Sequence, residues 1–136
     1  MEVLLHTLRG QLLGVAPAWL LWWAASLLIC LPFIVSVFAK LMDRRAALDE
    51  MAAGGFPRSM ALLIAILVLQ AVGVALILAG YHRAVGALLL AGFVFAATLA
   101  YHRFWRARGA ERMAKLNHFA ENLALVGALG LIAIAG

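Results

Sequence analysis

Lys40 and Asp43 stand three residues apart, His102 and Arg103 are adjacent, and His118, Glu121 and Asn122 fall within one short stretch. Each group borders a long apolar run, and Gln70 lies inside one, "LLIAILVLQAVGVALIL". Side chains three or four apart share a helix side, so Lys40 and Asp43 fall on the same side, and one of the two pairs His118/Asn122 and Asn117/Glu121 should look inward. An imidazole can bond or protonate an oxygen, and a lysine or arginine can stabilise negative charge developing there. An amide such as Gln70 can orient a ligand in a central cavity. Two histidines at one level could also hold a haem. The plainer roles are an interhelical hydrogen bond for Gln70, snorkelling for the cations and dipole complementation for Glu121.

The elements that position these residues follow from composition. Of the 136 residues, 67% are hydrophobic and 12% charged, and mean hydropathy is +1.05. Ordinary globular domains are about 45–50% apolar. The chain therefore reads as a polytopic membrane protein, all-α and embedded in a lipid bilayer. A crossing helix needs roughly 20 apolar residues, and four stretches qualify: about 17–39, 60–80, 84–101 and 119–135. Continuous Leu- and Ala-rich runs lack the alternation of barrel strands. The first run is longer than the 7 to 15 residues of a signal core and should stay as an anchor. Closely spaced spans leave room for one domain, a four-helix bundle over residues 1–136. Gln70 then falls about 15 Å into the second span, near mid-bilayer.

The connections carry their own signals. In "LMDRRAALDEMAAGGFP", Leu41, Leu48, Met51 and Ala52 oppose Asp43, Arg44, Asp49 and Glu50, the pattern of an amphipathic interfacial helix after the first span. Gly54, Gly55 and Pro57 end it, and Ser59 is placed to cap the second span. Leu4, Leu5, Leu8 and Leu12 give the N-terminal segment an apolar face, either as another interfacial helix or as an extension of span one. Gly80 marks a tight turn between spans two and three. Gly73, Gly80, Gly86 and Gly92 are expected to let those helices approach closely. Trp19, Trp22, Trp23 and Tyr81 read as an aromatic belt.

Short loops rich in Lys and Arg stay in the cytoplasm. Arg9 and Arg83 lie on one side; Lys40, Arg44, Arg45, Arg58, Arg103, Arg106, Arg108, Arg112 and Lys115 lie on the other. This places both termini outside the cytoplasm in a multi-pass inner-membrane protein. It also explains the net charge of +5 by topology and anionic lipid rather than nucleic acid. By hairpin topology Lys40, Asp43, His102, Arg103, His118, Glu121 and Asn122 converge on the cytoplasmic half, with Gln70 beneath them. No metal-site, phosphate-loop or dinucleotide motif is present. The single cysteine, Cys30, excludes an internal disulfide and a paired-thiol relay.

"FIVSVFAKLMD", "MAAGGFP", "LQAVGVALILAGYHRAVGALLLAGFV" and "NHFAENLALVGALGLI" resemble the DoxX family of small four-helix membrane proteins, from about Phe33 to Ile132. Carried over by position, the family pattern falls on Ser36 and Lys40, Gly55 and Pro57, Gln70 with Gly73, His102, and Asn122. Val37 stands where the family usually has glycine, and Gln70 where a glutamate is common. A glutamine cannot exchange a proton in the physiological range. The resemblance implies a redox association, and from it a membrane subunit of a quinone-linked oxidoreductase system. His102 or His118 would bond a quinone carbonyl, and Lys40 or Arg103 would stabilise its charge; partners would be other membrane or redox-complex subunits, or further copies of the chain. The alternative, from other relatives, is a non-catalytic membrane chaperone or assembly subunit. A small transporter fits less well, since four-helix exporters use an acidic residue in span one and residues 17–39 contain none.

Overall fold

A computed structural model describes residues 1–14 and 18–135 of the chain. Six α-helices follow in order: α1 Glu2–Leu13, α2 Ala18–Met42, α3 Arg44–Ala53, α4 Met60–Ala79, α5 Arg83–Tyr101 and α6 Gly109–Ala135, with a 3₁₀ turn at Phe104–Arg106 between the last two. The chain is an all-α membrane protein. Helices α2, α4, α5 with its 3₁₀ turn, and α6 are each long and apolar enough to cross a bilayer. Pro17, the expected start of span one, and the Leu12 side chain lie outside the described residues. Helix α1 is separate from α2 and exposes Leu4, Leu5 and Leu8.

Local signals explain most helix ends. Asp43 alone separates α2 from α3, its carboxylate accepting from Ala46 N at 2.9 Å. Ser59 caps α4, its hydroxyl accepting from Leu62 N at 3.4 Å. Gly80 closes α4 in the left-handed conformation, φ 73°, with its N–H on Ile77 O and that of Tyr81 on Leu76 O. This is a turn a side chain would strain. Helix α6 begins at Gly109, ten residues before the expected boundary at 119. The apolar run does begin near 119, but the preceding segment is rich in helix formers and carries an i,i+4 pair, Lys115 to Glu111 at 3.1 Å, so the helix continues beyond the apolar part. Pro32 lies within α2, one turn before Ser36.

Helices α4 and α5 approach closely at two glycines. A Cβ at Gly86 would lie 2.7 Å from Gly73 O and 2.9 Å from Leu76 Cβ, and one at Gly73 would lie 2.7 Å from Leu90. Two of the expected close-approach glycines therefore set the helix crossing. Gly92 does not, because nothing lies within 4 Å of its Cβ position. Around the crossing, Cys30 and Phe33 of α2, Ile77 of α4, Ala87, Leu90 and Val94 of α5, and Leu129 and Ile132 of α6 form the core. Helix α3 is seated rather than loose: its Ala47 and Met51 pack on Leu63 of α4. Leu129 and Ile132 are the buried residues of α6, so the bundle closes near the α4–α5 turn and is looser at the α3 end.

Gly86→Leu should force the hairpin apart and destabilise the protein by about 1–3 kcal/mol, whereas Gly92→Ala should melt like wild type. Thermal unfolding in detergent distinguishes the two, and equal melting temperatures would remove the crossing from its structural role.

Candidate functional site

Ser36 and Lys40 are one turn apart on α2, and Gln70 faces them from the middle of α4. The Lys40 ammonium donates to Ser36 Oγ and to Gln70 Oε1 at 3.3 Å, while Gln70 Nε2 donates to Ser36 Oγ at 3.4 Å. Gln70 is 1% exposed. A buried amide needs partners on both its oxygen and its nitrogen, and α2 supplies both. From α5 the Phe93 ring lies 5.8 Å from Lys40 Nζ, within range of a cation–π contact. No carboxylate among the described residues pairs with Lys40; its direct contacts are neutral dipoles and a ring, and the Glu50 carboxylate borders the same cavity without bonding to it.

Ser36 and Lys40 border a cavity of about 330 Å³. Met51 and Ala47 of α3, Phe56 of the following loop, Leu62 and Ile66 of α4, and Phe93, Ala96 and Ala97 of α5 make it largely apolar. Its polar groups are Ser36, Lys40, Glu50, Tyr101 and His102. Gln70 stands behind Ser36 and Lys40 instead of lining the space. Glu50 and Tyr101 also border a second hollow of about 410 Å³, shared with Arg103, Arg106 and Lys115. Tyr101 is set by a close backbone approach: a Cβ on Gly54 would overlap its ring, and Phe56 packs against it at 5.9 Å.

The residues singled out in the sequence separate into groups. Lys40 and Gln70 bond to one another, and His102 lines the same cavity. Arg103 borders the outer hollow and donates from Nε to Leu99 O at 2.9 Å. His118 stacks on His102, ring centroids 5.1 Å apart at 27°, and its Nδ1 lies 3.6 Å from the exposed Glu121 carboxylate. Rings stacked in this way leave no space between them for a haem. Asp43 is spent on the α3 cap, and half-buried Asn122 is not among the cavity residues. Phe93, Glu50 and Tyr101 were not legible as site residues. Glu50 lies on the polar side of α3 and Tyr101 at a span end, and only the fold of α3 against α4 brings them to the cavity.

Gln70→Leu should lower stability by about 1–2 kcal/mol, because it strips Lys40 of an acceptor and Ser36 of a donor. Gln70→Glu should melt at or above wild type by giving Lys40 a counter-ion. Wild-type melting of Gln70→Leu would show that the network contributes nothing.

No curated protein and no solved structure gives a significant match. The family model DoxX matches residues 21–103, a segment that contains the Ser36, Lys40 and Gln70 network, α3, the Gly73–Gly86 crossing and His102. With that match over more than half of its length, this four-helix membrane protein belongs to the DoxX family.

Proposed function

We propose that this protein is a membrane subunit of a quinone-linked oxidoreductase system and that the cavity above Lys40 takes a quinone headgroup. The observation that carries the reading is Lys40, an ammonium held by Ser36 and Gln70 without a carboxylate, at the wall of an apolar cavity. The cavity's size falls at the lower end of small-molecule pockets, about 300–1,000 Å³. A flat ring with an oxygen at each end suits its lining. Phe93 and Met51 offer apolar contact, Lys40 and Ser36 bond one carbonyl, and His102 is available to the other. Negative charge that builds on a carbonyl oxygen during reduction is stabilised by a cation already fixed in place. Ser36 Oγ accepts from both neighbours, so its own hydroxyl proton is free to be donated. His102, stacked on exposed His118, connects the cavity to water for proton supply, and the electrons come from a partner redox subunit. In this reading the α3 end, which carries nine of the eleven Lys and Arg residues, faces the cytoplasm across the inner membrane.

A second reading, an assembly or chaperone subunit without catalysis, rests on Gly92, Gly127 and Gly130. Each has open space at its Cβ position, so another membrane helix could pack closely there.

Titration of the purified protein with a short-chain quinone, followed calorimetrically, should show one site. Lys40→Ala should weaken it at least tenfold, and His102→Ala should weaken it less. Absence of binding to wild type, together with a protein partner retained in mild detergent, would favour the assembly role.

A further inference from the structure

At the opposite end of the bundle stands a cation that the quinone reading does not use. Arg83 opens α5, and its guanidinium carbon lies 5.1 Å from the Trp22 ring and 5.0 Å from the Trp23 ring. The two indoles come from the first turns of α2, so the contact ties α2 to the α4–α5 turn. Gly80 makes room for it: a Cβ there would lie 3.0 Å from an Arg83 terminal nitrogen.

Three observations show that this group is incompletely satisfied. None of the six acidic side chains pairs with Arg83. Arg83 Nε and Trp22 Nε1 are both buried without a hydrogen-bond partner among the described residues. The first amides of α5 are also uncapped by any side chain, because His82 precedes them in a left-handed conformation, φ 47°, and makes no capping bond. A guanidinium charge, two indole-walled donors and a positive helix end thus converge with no acidic side chain of the described residues beside them. Leaving a half-buried charge unmatched is costly, and an anion with several acceptor oxygens would match the guanidinium.

We infer that Arg83, flanked by Trp22 and Trp23, is a phosphate-binding site filled by the phosphodiester of one phospholipid. Arginine is suited to it because its planar fork meets phosphate oxygens two at a time and stacks on aromatic faces. Tryptophans of a transmembrane protein concentrate at headgroup level, which puts the phosphodiester layer beside this end of α5. Recognition runs through the phosphate, so the site accepts zwitterionic and anionic phospholipids alike. A diffuse basic patch would instead demand net negative lipid.

Native mass spectrometry of the whole protein in detergent, titrated in turn with phosphatidylethanolamine, phosphatidylglycerol, diacylglycerol and inorganic phosphate, tests this. The expected result is one retained molecule of either phospholipid, no equivalent retention of diacylglycerol, and no displacement by millimolar inorganic phosphate. Arg83→Gln should weaken retention at least tenfold, Arg83→Lys should weaken it less, and Lys40→Ala should leave it unchanged. Equal retention of diacylglycerol, preference for phosphatidylglycerol alone, or unaltered retention in Arg83→Gln would each overturn the proposal. Displacement by inorganic phosphate would overturn the lipid source and assign the site to a soluble anion. The lipid series on wild type decides the matter even if Arg83→Gln does not fold, and Lys40→Ala separates it from the quinone site.

Discussion

The backbones of α4 and α5 touch at Gly73 and Gly86, and the geometry of the α3 end depends on that contact. In a bilayer, apolar side chains gain nothing from water by pairing with one another, so helices associate through close packing and polar bonds. Two glycines facing one another fix the depth at which the two helices cross. Gln70 lies three residues before Gly73, and Phe93 lies seven after Gly86, so the crossing fixes both at once. These are the two side chains that meet the Lys40 ammonium from α4 and α5. Leu90, packed on Gly73, fills the space between.

The electrostatic character of the cavity rests on one residue choice. Where a glutamate would neutralise Lys40, glutamine positions it and leaves the charge standing. The amide solves its own solvation with the same two bonds. Mid-membrane polarity and a cationic cavity wall are thus one arrangement seen from α4 and from α2. Glu50 contributes the carboxylate at this cavity, from the α3 wall rather than from within the ammonium's bonding network.

Much of the fold was legible because a membrane leaves few options: four apolar runs must be helices, with every backbone group satisfied internally. The helix ends with dedicated chemistry, at Ser59 and Gly80, could be read as well. The start of α6 could not, since hydropathy marks where a helix enters lipid and not where it begins. Glycine spacing identified Gly73 and Gly86 but not which glycines face lipid, and Gly92 does. Of the site, Lys40, Gln70 and His102 could be gathered by depth alone. Asp43 was misplaced toward the cavity because a cap and a ligand-binding carboxylate look the same in one dimension. Glu50 and Tyr101 depend on α3 folding against α4, and the pairing of Arg83 with Trp22 and Trp23 joins the two ends of separate spans; neither leaves a local trace.

Pro32 in α2 has a mechanical consequence. Without an amide hydrogen it cannot bond Leu28 O, and its ring crowds that carbonyl, so α2 has one missing rung a turn above Ser36. Helices bend at such a rung. The segment beyond it carries both Ser36 and Lys40, one turn apart, so a bend at that rung would displace the two together relative to Gln70 and Phe93 and leave neither behind.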